Sequence, residues 1–311
     1  MPAKTSKAFS PAGISSFFEI CDRTDDGKPI TDLERVGARG GGFGLVKGVF
    51  TEVAIIEAEK NDIRVFINGK FSPEAETTKT VAKALLEKVE EKYKVVIRHR
   101  ADVPIGAGFG TSAGGALGAG FALSKVLSVN LTYGQIGRIA HVAEVKCKTG
   151  LGTVGPLLLS GCILTVEPGA PGYAVIERLP ISEDYRIVAG VFKPMPTKEV
   201  LSSTEKREMV NKWGRKTVDR ILTEPSLENF MKASKEFALK IGLATERVRR
   251  LMENAEKAGA VGAAQNMVGE AVHALVLKDK VDDVVEVFKK VLPKKKILVA
   301  KIDFRGAHLV R

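Results

Sequence analysis

The residues best suited to chemistry form a glycine-rich segment at positions 104–115, with the sequence PIGAGFGTSAGG. A strand-like run at 95–99 precedes it, and small residues predict a helix at 113–126 after it. Glycines let the backbone approach an anion, and the free N–H groups and dipole of a helix N-terminus favour negative charge there. The segment therefore predicts a phosphate-binding loop, with Thr111 and Ser112 at the start of the helix. A tight turn whose glycines serve only packing is the alternative.

Three known kinds of phosphate-binding loop have this order of strand, loop and helix. The pattern GxxxxGK[ST] fails because no lysine follows Gly110. The dinucleotide pattern GxGxxA fits residues 108–113, but it also needs an acidic residue about 20 positions later. No acidic residue lies between Asp102 and Glu144, so the dinucleotide type is disfavoured. The third pattern, PxxxGLGSSA, fits residues 104–113 with two substitutions.

The bulk composition argues against several classes of function. The chain has 311 residues and no apolar run of the roughly 18 residues that a membrane span needs. Its net charge is +11, but aromatic residues make up only 6% and lysines alternate with glutamates, so nucleic acid is not expected as a partner. A positive field suits a small anionic substrate equally well. Three scattered cysteines without a CxxC pair favour reduced thiols in the cytoplasm and argue against a zinc site.

The predicted secondary structure that must position the glycine-rich segment differs between the two halves of the chain. Short apolar runs predict strands at residues 53–58, 63–67, 95–99, 163–166, 187–191 and 297–302. Helical periodicity predicts helices at residues 77–93, 113–126, 132–150, 198–222, 226–241, 245–258, 266–276 and 281–291. A capping box of Thr132 and Gln135 begins the third of these helices. Strands dominate the first half and helices the second, and we expect two domains, residues 1–170 and 171–311.

The pattern PxxxGLGSSA is the signature of the GHMP kinases, and the chain resembles this superfamily over nearly its whole length. Within the superfamily it is most similar to the archaeal pantoate kinases. Short segments carry the resemblance in the same order, at residues 9–18, 37–42, 141–154, 192–197, 262–269 and 302–307. The resemblance implies the α+β GHMP kinase fold, in which a ribosomal-S5-like N-terminal lobe and an α+β C-terminal lobe hold ATP between them.

The resemblance also implies an activity. The chain is expected to be an ATP- and Mg²⁺-dependent kinase that phosphorylates the primary hydroxyl of pantoate, giving 4-phosphopantoate in archaeal coenzyme A biosynthesis. Other acceptors (homoserine, mevalonate or shikimate) stay open, as does a homologue that binds ATP without catalysis. Relatives are commonly homodimers, and neither a membrane nor nucleic acid is expected as a partner.

The resemblance further implies roles for individual residues. The ATP phosphates would lie against Pro104, Gly106, Ala107, Gly108, Gly110, Thr111 and Ser112. Ser112 and Glu144 would bind magnesium between them and form the catalytic pair. His141 lies on the same helix face as Glu144 and is a candidate substrate contact, although a lone histidine is often structural.

Two more residues are candidate substrate contacts. Arg39 lies among the glycines of residues 37–42, which predict a flexible loop able to hold an arginine against a carboxylate. A solvated loop charge would explain Arg39 equally well. Ser16 precedes Phe17 and Phe18, and so places a hydroxyl at the edge of an apolar cluster.

One position departs from the pattern of the superfamily. Many GHMP kinases have an aspartate in the loop after the glutamate, where it acts as general base, and here Thr153 lies near that position. Threonine cannot act as that base. Phosphoryl transfer depends mainly on positioning and charge neutralisation, so catalysis without the base is chemically reasonable.

Overall fold

The computed structural model describes residues 3–194, 204–267 and 269–310. The strands are β1 (Lys4–Cys21), β2 (Gly37–Glu57), β3 (Asp62–Ile67), β4 (Lys70–Phe71), β5 (Tyr93–Ala101), β6 (Cys162–Glu167), β7 (Val175–Leu179), β8 (Tyr185–Pro194), β9 (Gly262–Gln265), β10 (Gly269–Leu277), β11 (Ile297–Lys301) and β12 (His308–Val310). The α-helices are α1 (Glu76–Leu86), α2 (Thr111–Val126), α3 (Tyr133–Cys147), α4 (Val154–Leu159), α5 (Thr204–Thr223), α6 (Leu227–Lys240), α7 (Glu246–Lys257) and α8 (Val281–Lys289).

The strands form two sheets. In the first, the order is β12-β1-β2-β5-β3-β4, and β6 joins β2 and carries β7 at its other edge. In the second, the order is β11-β8-β10-β9. The strands from β1 to β7 thus belong to the first sheet and those from β8 to β11 to the second, whereas β12 belongs again to the first. The division into domains at residue 170 stays a prediction.

Aromatic side chains join the two halves of the chain. Phe17 of β1 and Phe43 of β2 both pack edge-on against Phe230 of α6, with ring centroids 5.7 and 5.2 Å apart. All three rings are at most 2% exposed, so their burial contributes strongly to stability. The same apolar cluster includes Phe109, which belongs to the glycine-rich segment. The core therefore fixes this segment relative to both sheets.

The glycines at residues 37–42 do not form the predicted flexible loop. They belong to β2, which pairs with β1 from Gly37 to Ile55, with two register irregularities. A Cβ atom added at Gly42 would lie only 1.7 Å from the Ile14 carbonyl oxygen, and one at Gly41 would lie 2.8 Å from both Phe17 and Phe230. The glycines let neighbouring backbone and rings approach β2 closely, and they hold Arg39 on a strand.

The helix predicted at residues 266–276 is also wrong, because residues 269–276 belong to β10. Ala271 and Leu275 face one apolar cluster, whereas Val272 and Ala274 face another. A strand that is buried on both faces has no polar alternation, and its apolar run cannot be told from that of a buried helix by periodicity.

Several predicted elements are confirmed, although their ends differ. The capping box of Thr132 and Gln135 begins α3, which ends at Cys147 rather than near Gly150. The helix predicted at 77–93 ends at Leu86, and Tyr93 begins β5. Residues 198–203 of another predicted helix lie outside the described residues, as do residues 195–197 of a resemblance segment. In the described part of the chain, no helix has the length and apolar character needed to cross a membrane.

Candidate active site

The glycine loop, defined here as residues 104–110, connects β5 to α2. Gly106, Gly108 and Gly110 adopt positive φ angles of 74°, 77° and 62°. Other L-residues are disfavoured in this left-handed region by roughly 1–2 kcal/mol each. Gly110 is the N-cap of α2 and provides no capping side chain. The first-turn N–H groups therefore remain suited to an anion, as the sequence predicts for a phosphate.

Both sheets contribute to the surroundings of the glycine loop. A Cβ atom added at Gly108 would lie 3.0 Å from the Met267 carbonyl oxygen, which belongs to the turn between β9 and β10. A Cβ atom at Gly110 would lie 2.8 Å from Cγ2 of Thr153, the N-cap of α4. The turn from the second sheet and the start of α4 thus flank the loop. Within the loop, Ala107 is buried, whereas Pro104 and Gly106 are exposed.

Ser112 and Glu144 meet beside this loop. The Ser112 side chain, in the first turn of α2, lies against the carboxylate of Glu144 near the end of α3. Glu144 is 2% exposed, and the Thr149 hydroxyl donates to its Oε1 atom at 2.8 Å. Burial raises the pKa of Glu144 above its ordinary value, and the nearby hydroxyls of Ser112 and Thr149 offset part of that rise.

This pair has the chemistry that Mg²⁺ requires when it binds together with a nucleotide. The described residues contain no cluster of three or more acidic, histidine or cysteine side chains that could hold a metal alone. Magnesium, however, usually takes one or two carboxylates and completes its shell with substrate phosphates and water. In the described part of the chain, the side-chain partners of the Glu144 carboxylate are hydroxyls and not cations. A magnesium–nucleotide complex at the start of α2 would supply the missing positive charge.

Known proteins are similar in sequence to this chain, both at the glycine loop and over most of its remaining length. The family described as GHMP kinases N terminal domain matches residues 76–161, which include Ser112 and Glu144. A pantoate kinase of Methanocaldococcus jannaschii is 30% identical over 90% of this chain and 96% of that relative. A pantoate kinase of Thermococcus kodakarensis is 33% identical over 89% of each chain. The chain belongs to the GHMP kinase family, together with these pantoate kinases.

A solved structure shows the fold of this GHMP kinase. The structure, described as a phosphotransferase related to the CoA biosynthesis pathway, matches with a TM-score of 0.88 and 29% identity, covering 99% of both chains. The predicted α+β GHMP kinase fold is thereby confirmed. Members of this family are ATP-dependent kinases, so ATP is the nucleotide that the glycine loop is suited to hold.

Arg39 of this GHMP kinase lies in a network of charged residues. Its guanidinium donates to Glu19 at 3.3 Å, to Glu167 at 3.4 Å and to the Val166 carbonyl at 2.9 Å. Arg215 of α5 donates two hydrogen bonds to the same Glu19 carboxylate, at 3.1 and 2.8 Å. Arg39, Arg215 and Glu19 line an open cleft of ≈ 680 Å³. Arg39 is thus neither a mobile loop residue nor a fully solvated charge.

Ser16 and His141 already have protein partners for their polar atoms. Ser16 is 0% exposed, and its hydroxyl lies 2.8 Å from Nε2 of His273, whose Nδ1 lies 2.8 Å from Oδ1 of Asn266. His141 is 1% exposed, and its Nε2 lies 2.8 Å from the Val36 carbonyl oxygen. Burial lowers the pKa of both histidines, that of His273 to about 3. Direct substrate contact by Ser16 or His141 stays a prediction.

Sequence reasoning missed three polar residues near these sites. Thr149 contacts Glu144 and lies five positions after it, so the end of the helix can bring its hydroxyl back to the carboxylate. This short separation is a signal that the sequence contained. Arg215 approaches Glu19 across 196 positions in the sequence, so only tertiary structure reveals that contact. Asn266 lies beside Gly108, and its buried Nδ2 has no hydrogen-bond partner among the described residues.

Proposed function

We propose that this GHMP kinase transfers the γ-phosphoryl group of ATP to the primary hydroxyl of pantoate, with Mg²⁺ as the metal ion. The observation that carries the proposal is the contact between Ser112 and Glu144 at the start of α2, beside a loop suited to phosphate. The acceptor is inferred from the two archaeal pantoate kinases, which resemble this chain along most of its length.

The reaction exchanges one phosphorus–oxygen bond for another. The acceptor oxygen forms a bond to the γ-phosphorus, and the bond from that phosphorus to the β–γ bridging oxygen breaks, which releases ADP. The acceptor hydroxyl loses its proton to water, and the product is 4-phosphopantoate. The transition state is loose, so the protein contributes mainly by positioning the two substrates and by neutralising charge.

The nucleotide side of the site would be formed by the glycine loop and α2. The main-chain N–H groups of Thr111 and Ser112 would face the phosphates, aided by the helix dipole. The Ser112 hydroxyl and the Glu144 carboxylate would hold magnesium. When bound, this ion supplies positive charge to the phosphate oxygens.

The acceptor hydroxyl would lie near Thr153, where many family members have an aspartate. The side chain of Thr153 adjoins both Gly110 and Gly13, so this position lies at the glycine loop. Its hydroxyl makes no capping hydrogen bond to α4 and is available to orient an acceptor. A threonine cannot accept the proton, and Thr153 would therefore act by orientation alone.

The carboxylate of pantoate would be recognised in the cleft of Arg39 and Arg215. A Cβ atom added at Gly152 would lie 2.9 Å from Cβ of Ala38, so the strand residue before Arg39 adjoins the residue before Thr153. Arg39, the next residue of β2, lines the cleft together with Arg215 and Glu19. Guanidinium groups bind carboxylates through paired hydrogen bonds. Glu19 holds both arginines in place, Arg39 through its Oε2 atom and Arg215 through its Oε1 atom.

ADP release by the purified protein tests the activity. With Mg-ATP and pantoate, we expect ADP to accumulate in proportion to enzyme, and chelation of magnesium should stop it. Nucleotide binding without ADP release on any acceptor would favour a non-catalytic homologue, for which Thr153 is the motivating observation.

A further inference from the structure

We infer that Thr149, supported by Thr77, is a positioning residue that holds the Glu144 carboxylate in the orientation needed for the magnesium–nucleotide complex. The inference rests on the proposed function, because it assigns Glu144 to magnesium. Neither threonine is part of the glycine loop. Both act through Glu144.

The C-terminal cap of α3 brings Thr149 back to Glu144. Lys148 is the C-cap, with a left-handed φ of 56°, and it reverses the direction of the chain. The Thr149 N–H then donates to the Glu144 carbonyl oxygen at 3.0 Å, and the Thr149 hydroxyl donates to the Glu144 Oε1 atom at 2.8 Å. The cap therefore binds both the main chain and the side chain of the glutamate.

A second hydroxyl fixes the rotamer of the first. Thr77, in the first turn of α1, is 6% exposed, and its hydroxyl lies 2.9 Å from that of Thr149. Because the Thr149 proton is given to the carboxylate, the proton between the two hydroxyls comes from Thr77. The direction of donation is thus Thr77 to Thr149 to Glu144, and it connects the start of α1 with the active site.

The other carboxylate oxygen is limited by Gly150. A Cβ atom added there would lie 2.1 Å from Oε2 of Glu144, so no larger residue allows this carboxylate position. With Oε1 bound by Thr149 and Oε2 against Gly150, the plane of the carboxylate is fixed. Groups that orient a metal ligand in this way typically change metal affinity or activity by about 10–100-fold when removed.

Substitution of Thr149 separates positioning from helix capping. Thr149→Val removes the hydroxyl but keeps the main-chain cap, and Thr149→Ser keeps both. Thr149 is exposed as a whole residue, so neither change should affect folding. Thr80→Val is a matched control, because Thr80 also lies on α1 and contacts the end of α3, at Cys147 Sγ, 3.5 Å away.

The main measurement is the binding of a non-hydrolysable ATP analogue by calorimetry at a series of Mg²⁺ concentrations. For Thr149→Val, we expect the Mg²⁺ concentration giving half-maximal enhancement of binding to rise about tenfold, with kcat falling by a similar factor. Thr77→Val should show a smaller change in the same direction. Thr149→Ser and Thr80→Val should match the wild type.

Two results from the variants would overturn the inference. One is wild-type magnesium dependence in Thr149→Val, and the other is equal impairment of the Val and Ser variants, which would show a packing role. Wild-type turnover with pantoate is measured in parallel. Its failure would contradict the proposed acceptor while leaving the binding data to decide the role of Thr149. Nucleotide binding that does not depend on magnesium in the wild type would overturn both this inference and the role of magnesium in the proposed function.

Discussion

The side chain of Ser112, at the start of α2, lies against the buried carboxylate of Glu144, near the end of α3. The two residues are distant in sequence and meet because α2 and α3 pack side by side. This contact places a carboxylate next to a helix N-terminus, where negative charge on a ligand is stabilised. A divalent cation between the carboxylate and a phosphate would offset the repulsion between these two negative groups. The proposed chemistry follows from that arrangement.

Removal of either member of this pair should abolish most of the activity. For Ser112→Ala and Glu144→Gln, we expect kcat to fall by more than about 100-fold, because each change removes a proposed ligand of the metal. Steady-state kinetics and circular dichroism would be recorded together. Ser124→Ala is the control, since Ser124 lies on the same helix and donates only to the Phe121 carbonyl. Near-native activity in both variants would contradict the magnesium assignment.

The conformation of Gly110 should be essential for nucleotide binding. Gly110→Ala places a Cβ atom 2.8 Å from Thr153 Cγ2, at a φ of 62°, and we expect a cost of roughly 1–2 kcal/mol before any clash is relieved. The affinity for ATP should fall by about tenfold or more. Gly134→Ala serves as the control. Outside its chain neighbours and its own helix backbone, the described atom nearest to its new Cβ would be Thr132 Oγ1, at 3.9 Å. Unchanged ATP affinity in Gly110→Ala would argue against phosphate binding here.

Thr153 should contribute little by acid–base chemistry. Thr153→Val keeps the shape of the side chain, and we expect kcat to fall by far less than the roughly 100-fold that loss of a general base costs. Single-turnover kinetics with saturating ATP and pantoate would measure the chemical step directly. A fall of 100-fold or more would show that the hydroxyl takes part in proton transfer.

The cleft of Arg39 should determine the affinity for the acceptor. Arg39→Lys keeps a positive charge but loses the paired hydrogen bonds of a guanidinium, and we expect KM for pantoate to rise about tenfold with KM for ATP unchanged. Arg64→Lys, at an exposed ion pair with Asp62, is the matched control. An equal change in both KM values would show that Arg39 acts through the fold and not through the acceptor.

The stability of the protein should fall between pH 6.5 and 4. His99 is buried between the Thr51 and Thr78 hydroxyls, at 2.9 and 3.0 Å, and burial lowers its pKa to about 4. The unfolded chain binds a proton on this ring below about pH 6.5 and the folded chain does not, so the unfolding free energy falls as pH decreases, by up to roughly 1.4 kcal/mol per pH unit.

Urea denaturation at several pH values would measure this slope. His99→Gln should reduce the slope without removing it, because the pKa of the buried His273 is also lowered, to about 3. An identical slope in the wild type and in His99→Gln would contradict the assignment of this pH dependence to His99.

Local patterns in the sequence predicted the parts of the structure that depend on neighbouring residues. The glycine loop and the Thr132 capping box are of this kind, because turn and cap residues act within a few positions. Residues 37–42 and 266–276 were misjudged because their character depends on what packs against them. The glycines of β2 let β1 and Phe230 approach closely, and β10 is buried on both faces. The contacts of Arg39 and Arg215 with the same Glu19 carboxylate, and that of Ser16 with His273, also join distant segments.

The most direct test of the proposed function is a panel of acceptors assayed side by side with Mg-ATP. Pantoate, homoserine, mevalonate and shikimate would be compared by ADP release, and the product would be identified by phosphorus NMR. We predict that pantoate gives a kcat/KM at least tenfold above every other acceptor, with the new phosphate on its primary hydroxyl. A higher kcat/KM with another acceptor, or ATP binding without turnover on any of the four, would contradict the proposal.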